Sequence, residues 1–213
     1  MDAFRMIWKG FKTWWDVWLG LWMFGLVWVL CWGTIVLGPP ATFGFFQATR
    51  RLMTDNEIKW DEYVRAAKDN FLASWLWFLA NLLILFTVFA NTAFYGTLAG
   101  NAGSILQVVA LLVGFLWVAV QFYALPYYVL LEKKSLRVAW KNGLLTILAS
   151  PIFSLTLWLV LAPLIGLHIF IMPVFLAGPG LVVLLSSMAV EDRVQKFRIR
   201  ERGAEHNNVS KVL

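Results

Sequence analysis

The chain has 213 residues, 61% of them hydrophobic and 14% charged, with a formal net charge of +6. A typical soluble domain carries about 25% charged residues, so a water-soluble fold of this size would lack the polar surface to cover so apolar a core. Several membrane spans are expected instead, and the single cysteine, Cys31, excludes an intrachain disulfide and a cysteine-based metal site.

The charges are segregated. All 18 Lys and Arg fall in blocks 5–12, 50–68, 133–141 and 193–211, and no Asp, Glu, Lys, Arg or His lies between Phe71 and Leu131. The positive charge belongs to loops beside a membrane and is no nucleic-acid footprint. The basic start and apolar run resemble a secretory signal, but the run is too long and ends at Gly-Pro-Pro, so it is expected to be retained.

Residues 1–16 read as an interfacial amphipathic helix, with Phe4, Ile7, Trp8, Phe11, Trp14, Trp15 and Trp18 on one face beside Arg5, Lys9 and Lys12. Seven of the 13 tryptophans precede residue 33. Stacking on sugar rings would use such residues, but an interfacial aromatic belt explains them more simply. The first span, Val17 to Leu37, ends at Gly38. Two consecutive prolines cannot continue a helix but suit the first turn of a new one. From Ala41 to Met53 is about 20 Å, short of the roughly 30 Å hydrocarbon core, so this helix is expected to be re-entrant or interfacial. Thr54-Asp55-Asn56-Glu57 has the form of a capping box. It would open a surface helix with Trp60, Val64, Ala67 and Phe71 on one face.

The second span is Phe71 to about Tyr95, with Ser74, Asn81 and Val88 aligned. A turn over 96–104 leads to a third span, Ile105 to about Leu131, which repeats Gln107, Gly114 and Gln121 and contains Pro126. Ser135 is a candidate cap for the helix after the 132–142 loop. A fourth span, Leu144 to about Leu161, aligns Thr146, Ser150 and Ser154 and is kinked at Pro151. A turn over 162–168 precedes a fifth span, 169–190, broken by Pro173 and Gly178-Pro179-Gly180. The end beyond Gly203 is expected to be disordered. No internal repeat supports an inverted-repeat transporter.

The basic loops belong on the cytoplasmic side, with a cytoplasmic C-terminus. A single first span would put Arg5, Lys9 and Lys12 on the opposite side. A hairpin at Gly38-Pro39-Pro40 returns the chain to the cytoplasm and is preferred to five full crossings with an external N-terminus.

Two patches carry a resemblance to a known family. One is Leu30-Cys31-Trp32-Gly33-Thr34-Ile35-Val36-Leu37-Gly38-Pro39-Pro40-Ala41-Thr42 followed by Ala48-Thr49-Arg50-Arg51-Leu52. It is similar to the Gly-Pro-Ala-Thr landmark that follows the first span in the YesL-like family of bacterial integral membrane proteins, with Pro40 inserted. The other is Leu125-Pro126-Tyr127-Tyr128 with Ser135-Leu136 and Lys141-Asn142-Gly143-Leu144-Leu145. The resemblance implies a role near carbohydrate uptake or utilisation, with a sugar-uptake system as a partner, and supplies no catalytic residues.

No enzyme signature is present: the spans hold no Asp, Glu, Lys or Arg to act as a general base, and no ligand cluster for zinc exists. His168 falls in a turn without an acidic neighbour, and His206 in the tail. Neither cofactor nor metal is expected. Asn81, Gln107, Gln121, Ser150 and Ser154 would line a pathway for a neutral solute, or else join packed helices by hydrogen bonds. The helix start at Gly38, Pro39, Pro40, Ala41 and Thr42 is either a docking point for an anion or hydroxyl or a packing device for reversing the chain. Arg50 and Arg51 are candidates for lipid-phosphate binding or for a topology anchor.

The expected fold is an all-α, polytopic helical membrane bundle of five long hydrophobic helices plus a short Pro-initiated helix. It divides into an interfacial segment (1–16), a membrane domain (17–190) and a charged cytoplasmic tail (191–213). The expected function is a non-catalytic component of a bacterial inner membrane, accessory to carbohydrate uptake. The alternatives are a small transporter or channel for a neutral solute and a lipid-interacting scaffold. The lipid bilayer is a partner in every case, and oligomeric state is left open.

Overall fold

The computed structural model describes residues 3–55, 57–98, 100–170 and 172–209, without the side-chain surroundings of 164–165, 167–177 and 200–209. Within these residues the protein is all-α. Its helices are α1 (Ala3–Gly33), α2 (Gly38–Asp55), α3 (Trp60–Asp69), α4 (Phe71–Gly96), α5 (Asn101–Leu130), α6 (Leu136–Ala149), α7 (Pro151–Phe170) and α8 (Met172–Val209).

The short helix α2 is the centre of the molecule. It buries Ala41, Phe43, Phe45, Phe46, Ala48 and Leu52 and also Gly38, Pro39, Pro40 and Thr42. It packs against α1, α3, α4, α5 and α8, so it is a core helix of the protein. Small residues allow the close approach. A Cβ on Gly44 would sit 2.6 Å from the carbonyl oxygen of Tyr63 in α3, and one on Gly20 would sit 2.9 Å from Leu52.

Helix α1 is a single 31-residue helix, about 46 Å long at 1.5 Å per residue, and runs unbroken across position 16. It pairs antiparallel with α2: Trp28 and Trp32 reach Thr42, while Gly20 meets Leu52. It is also antiparallel to α8, with Gly10 against Leu185 and Met188 and Leu21 against Gly180. The N-terminus of α1 therefore lies at the end of the bundle that holds Arg50 and Glu191. The face of α1 turned to the bundle is Ala3, Met6, Ile7, Gly10, Val17, Leu21 and Phe24. The expected aromatic face divides: Ile7 is buried, whereas Phe4, Trp8, Trp15 and Trp18 are exposed, beside the exposed Arg5, Lys9 and Lys12.

Helices α4 and α5 form the hairpin that the two polar stripes predict. Val88 packs at Gly114, Gln107 bonds to the carbonyl of Thr92, and Trp77 and Gln121 join across the pair. The outer surfaces stay apolar and bare, with Leu83, Phe86, Phe89, Val108 and Leu112 more than half exposed. Such surface is suited to a hydrocarbon solvent. Among the described residues three helices are long and apolar enough to span a membrane: α1, α4 and α5.

A fourth span is counted only if α6 and residues 151–163 are taken together, and these meet at 102°. The described residues thus support three or four spans where the sequence pattern predicts five. The physical reason for the break is Pro151. It lacks an N–H and forces Ser150 out of helical conformation, to φ −143° and ψ 61°. The predicted turn at 162–168 is helical instead, with Pro163 inside α7. Likewise α8 continues through Pro179 and the charged tail to Val209, where a disordered end was expected. His168 and His206 fall outside the residues whose side chains are described.

Two local expectations are corrected. Thr54 caps nothing. Its hydroxyl donates back to the carbonyl of Arg50 at 3.0 Å, inside the last turn of α2. Glu57 pairs with Lys59 at 3.2 Å, and α3 opens at Trp60. The buried residue of α3 is Tyr63, while Val64 and Phe71 are exposed. Ser135, by contrast, caps α6 by accepting from the amide of Val138 at 3.4 Å.

If α2 is held by backbone proximity to its neighbours, Gly44→Val forces α2 and α3 apart. An overpacked core site of this kind costs about 1–3 kcal/mol, and thermal unfolding in detergent should show a clear fall in midpoint. Gly33→Ala, with no atom within 4 Å of the new Cβ, should leave the midpoint unchanged or raise it. Equal effects of the two substitutions would contradict the packing described.

Candidate functional site

The turn that starts α2 is closed by its own side chains. Thr42 Oγ1 accepts the indole N–H of Trp28 at 2.9 Å and that of Trp32 at 3.3 Å, and donates to the carbonyl of Gly38 at 3.0 Å. The first helical amide bond is Ala41 N–H to the carbonyl of Leu37. Of the three preceding helix positions, Pro39 and Pro40 carry no N–H, so Gly38 alone offers an unclaimed main-chain donor there. The ring of Trp32 covers Gly38, where a Cβ would approach to 2.5 Å. Gly38, Pro39, Pro40, Ala41 and Thr42 thus build a packed reversal with few donors left to hold an anion.

The five polar residues expected along one pathway fall into separate groups. Gln121 Oε1 accepts from the indoles of Trp77 (2.9 Å) and Trp140 (3.1 Å). Nearby, Asn81 Oδ1 accepts from Trp117 at 3.0 Å, and the rings of Trp117 and Trp140 lie 5.7 Å apart. Gln107 is at the far end of the α4–α5 hairpin. Ser154 accepts from the Tyr123 hydroxyl at 3.1 Å, and Ser150 accepts from Arg193 at 3.2 Å. Each acts as a bond between neighbouring helices.

Polar chemistry gathers at the other end, where the C-terminal half of α2 meets the end of α5, the start of α6 and the middle of α8. The last carbonyls of α5 lack partners within their own helix and carry the negative end of its dipole. Two cations meet them. Lys134 Nζ donates to the carbonyls of Val129 at 2.7 Å and Tyr128 at 3.2 Å, and Arg50 Nη1 donates to Val129 at 3.4 Å. Arg50 Nε also faces Glu191 at 3.9 Å.

Beside these groups opens a cleft of roughly 400 Å3, with Arg50, Tyr127, Asn142, Glu191, Gln195 and Arg198 as its polar wall. A second hollow of roughly 270 Å3 shares Tyr127, Asn142 and Arg198 and continues past Thr146. Burial pushes the Glu191 carboxyl above its ordinary value, and the charges of Arg50 and Lys9 pull it partly back. Burial also holds the Lys134 ammonium below its usual value, with Arg50 adding to the effect.

The two adjacent arginines separate. Arg50 turns into the cleft, whereas Arg51 pairs with Glu62 of α3 at 2.9 Å and lies 3.9 Å from Asp55. Arg193, one turn from the cleft on α8, is buried. Its guanidinium stacks 3.7 Å from the ring centre of Phe153, bonds Ser150, and faces Asp192 at 2.9 Å. It therefore clamps the break between α6 and α7 from the side of α8. Among the described residues no group of three or more His, Cys, Asp or Glu could hold a metal ion.

No protein-family model matches the chain, and neither a curated protein nor a solved structure does.

In the sequence, Glu191, Arg193, Gln195 and Arg198 are distinguished only by lying in the charged tail, and Tyr127 and Asn142 only by the family resemblance. The signal that unites them is helical spacing. Glu191, Val194, Gln195 and Arg198 recur at intervals of three and four along one face of a helix that runs straight out of the apolar segment.

Loss of Arg193 removes a charged hydrogen bond and a desolvated cation–π contact together. Arg193→Ala should lower stability by about 2–4 kcal/mol, read as thermal unfolding in detergent. Arg193→Lys should recover only part of the loss, since an ammonium cannot stack and bond as the planar fork does. Full rescue by lysine would mean that charge alone matters at this position.

Proposed function

We propose that this chain is a multi-pass, non-catalytic protein of a bacterial inner membrane that works as a lipid-interacting scaffold at the cytoplasmic face. In this reading five hydrophobic segments enter the membrane, the fourth bent at Pro151, and the four basic blocks share the cytoplasmic side with the C-terminus. The observation that carries it is the gathering of Arg50, Lys134, Arg198 and the N-terminal Lys9 about one end of the bundle, around an open cleft. The reading as a neutral-solute transporter draws less support: its polar residues are divided among separate helix contacts. The accessory role in carbohydrate uptake, with a sugar-uptake system as partner, is carried by the family resemblance alone.

The scaffold reading makes a direct prediction. Purified protein in vesicles loaded with glycerol or a neutral disaccharide should release the solute at the rate of protein-free vesicles. Release that rises in proportion to the protein incorporated would overturn the scaffold reading in favour of transport.

A further inference from the structure

We propose that the cleft between α2, α5, α6 and α8 is a binding site for a phosphate group, held by Arg50 and Arg198 with Asn142 and Gln195 as neutral donors. This rests on the scaffold reading of the same end of the protein and names the chemical class it recognises.

The argument begins with charge. Two guanidinium groups line the cleft against one carboxylate, Glu191. A third cation, Lys134, stands on the same α5 carbonyl as Arg50, and Lys9 acts on Glu191 from α1. Cations outnumber the carboxylate, so the enclosed space attracts an anion.

Geometry points the same way. Arg50 has a planar fork of five N–H donors, yet its two contacts are long, 3.4 Å to Val129 and 3.9 Å to Glu191. Arg51, by comparison, holds Glu62 at 2.9 Å. A guanidinium without a close bidentate partner suits a tetrahedral oxyanion, which takes two parallel N–H bonds. The roughly 400 Å3 of space exceeds the needs of a bare ion.

The other wall of the cleft is apolar, formed by Leu130, Leu131 and Val194, and the neighbouring hollow adds Leu145 and Phe197. A charged end beside an aliphatic wall fits a phosphate that carries an organic substituent. A phospholipid headgroup and a small phosphate ester share this chemistry. The position where apolar helices give way to basic segments places the phosphate level with the headgroup layer.

Glu191 sits where it competes with the ligand. Its carboxylate faces Arg50 directly, so a phosphate entering the cleft displaces that contact and meets a repelling charge. Removal of the carboxylate charge should therefore strengthen binding, whereas removal of a guanidinium should weaken it. A merely structural cluster would show neither pattern.

The test uses the full chain in neutral detergent, titrated with short-chain phosphatidylglycerol, with glycerol phosphate and with short-chain phosphatidylcholine, read by native mass spectrometry and by the unfolding midpoint. Phosphatidylglycerol should bind and raise the midpoint. Arg198→Gln and Arg50→Gln should each weaken it about tenfold or more, and Glu191→Gln should tighten it. Arg198 lies at the exposed rim, so its variant keeps the test open should Arg50→Gln fail to fold. Equal binding of glycerol phosphate would assign the site to a soluble ester, and preference for the lipid would assign it to a headgroup. Phosphatidylcholine, whose choline cancels the charge of its phosphate, should bind more weakly than phosphatidylglycerol. Equal affinity of both arginine variants with the native chain, or no binding of phosphatidylglycerol and glycerol phosphate, would overturn the proposal. A protein that bound phosphate and also sped solute release would keep the site while losing the scaffold reading, so the two failures are distinct.

Discussion

The constraint on which the structure depends is the reversal between α1 and α2, whose backbone closes most of its own hydrogen bonds. The tip of that turn exposes Ile35, Val36 and Leu37, between 48% and 64% of each side chain's surface. Apolar surface of this kind is suited to a bilayer, where a chain finds few outside partners for its polar groups. The backbone therefore has to close its own bonds. Thr34 N–H returns to Cys31, Ile35 N–H to Trp32, and Val36 N–H to Thr34, while Thr34 Oγ1 donates to Cys31 and accepts from Leu37 N–H. Ile35 takes a positive φ of 60°, a strained choice for a β-branched residue. The two prolines remove donors that would otherwise need partners, and Thr42 gathers two indoles onto the new helix.

The consequences spread outward. Because α2 returns beside α1, Arg50 arrives at the same end as Lys9, and the C-terminal carbonyls of α5 find cations from two separate segments. The charge left over at that end is what makes the cleft attractive to an anion. The opposite parts of the bundle need no such chemistry. There the α4–α5 hairpin presents Leu and Phe on its outer surfaces and joins its helices through Asn81, Gln107 and Gln121, each with an indole or carbonyl. The excess positive charge is thus concentrated at one end of the molecule, where Arg193 also clamps the α6–α7 corner.

Much of this was legible in the residues themselves. The Gly38-Pro39-Pro40 start, the cap at Ser135 and the Gln107, Gly114, Gln121 stripe each follow from a local rule, and each rule acts within one or two turns. Failures came where a local signal met a stronger tertiary one. Thr54 and Glu57 fit a capping box, but Lys59 draws Asp55 and Glu57 to itself, and α2 keeps Thr54. Pro163 looks like a helix end yet costs α7 only one bond. Pro151 looks like a kink yet turns the chain through 102°, because Arg193 and Phe153 hold the corner. The cleft was hidden for a different reason: it joins residues from 50 to 198, and no sequence period links four helices.

The central claim is that Gly38-Pro39-Pro40 returns the chain to the side from which it entered. Labelling of single cysteines placed at Lys12 and at Lys133, in a Cys31→Ser chain, tests this most directly with a membrane-impermeant thiol reagent on intact cells and inverted vesicles. The account predicts that both positions react only in inverted vesicles. Reaction of the cysteine at position 12 on intact cells, with that at 133 still protected, would contradict it.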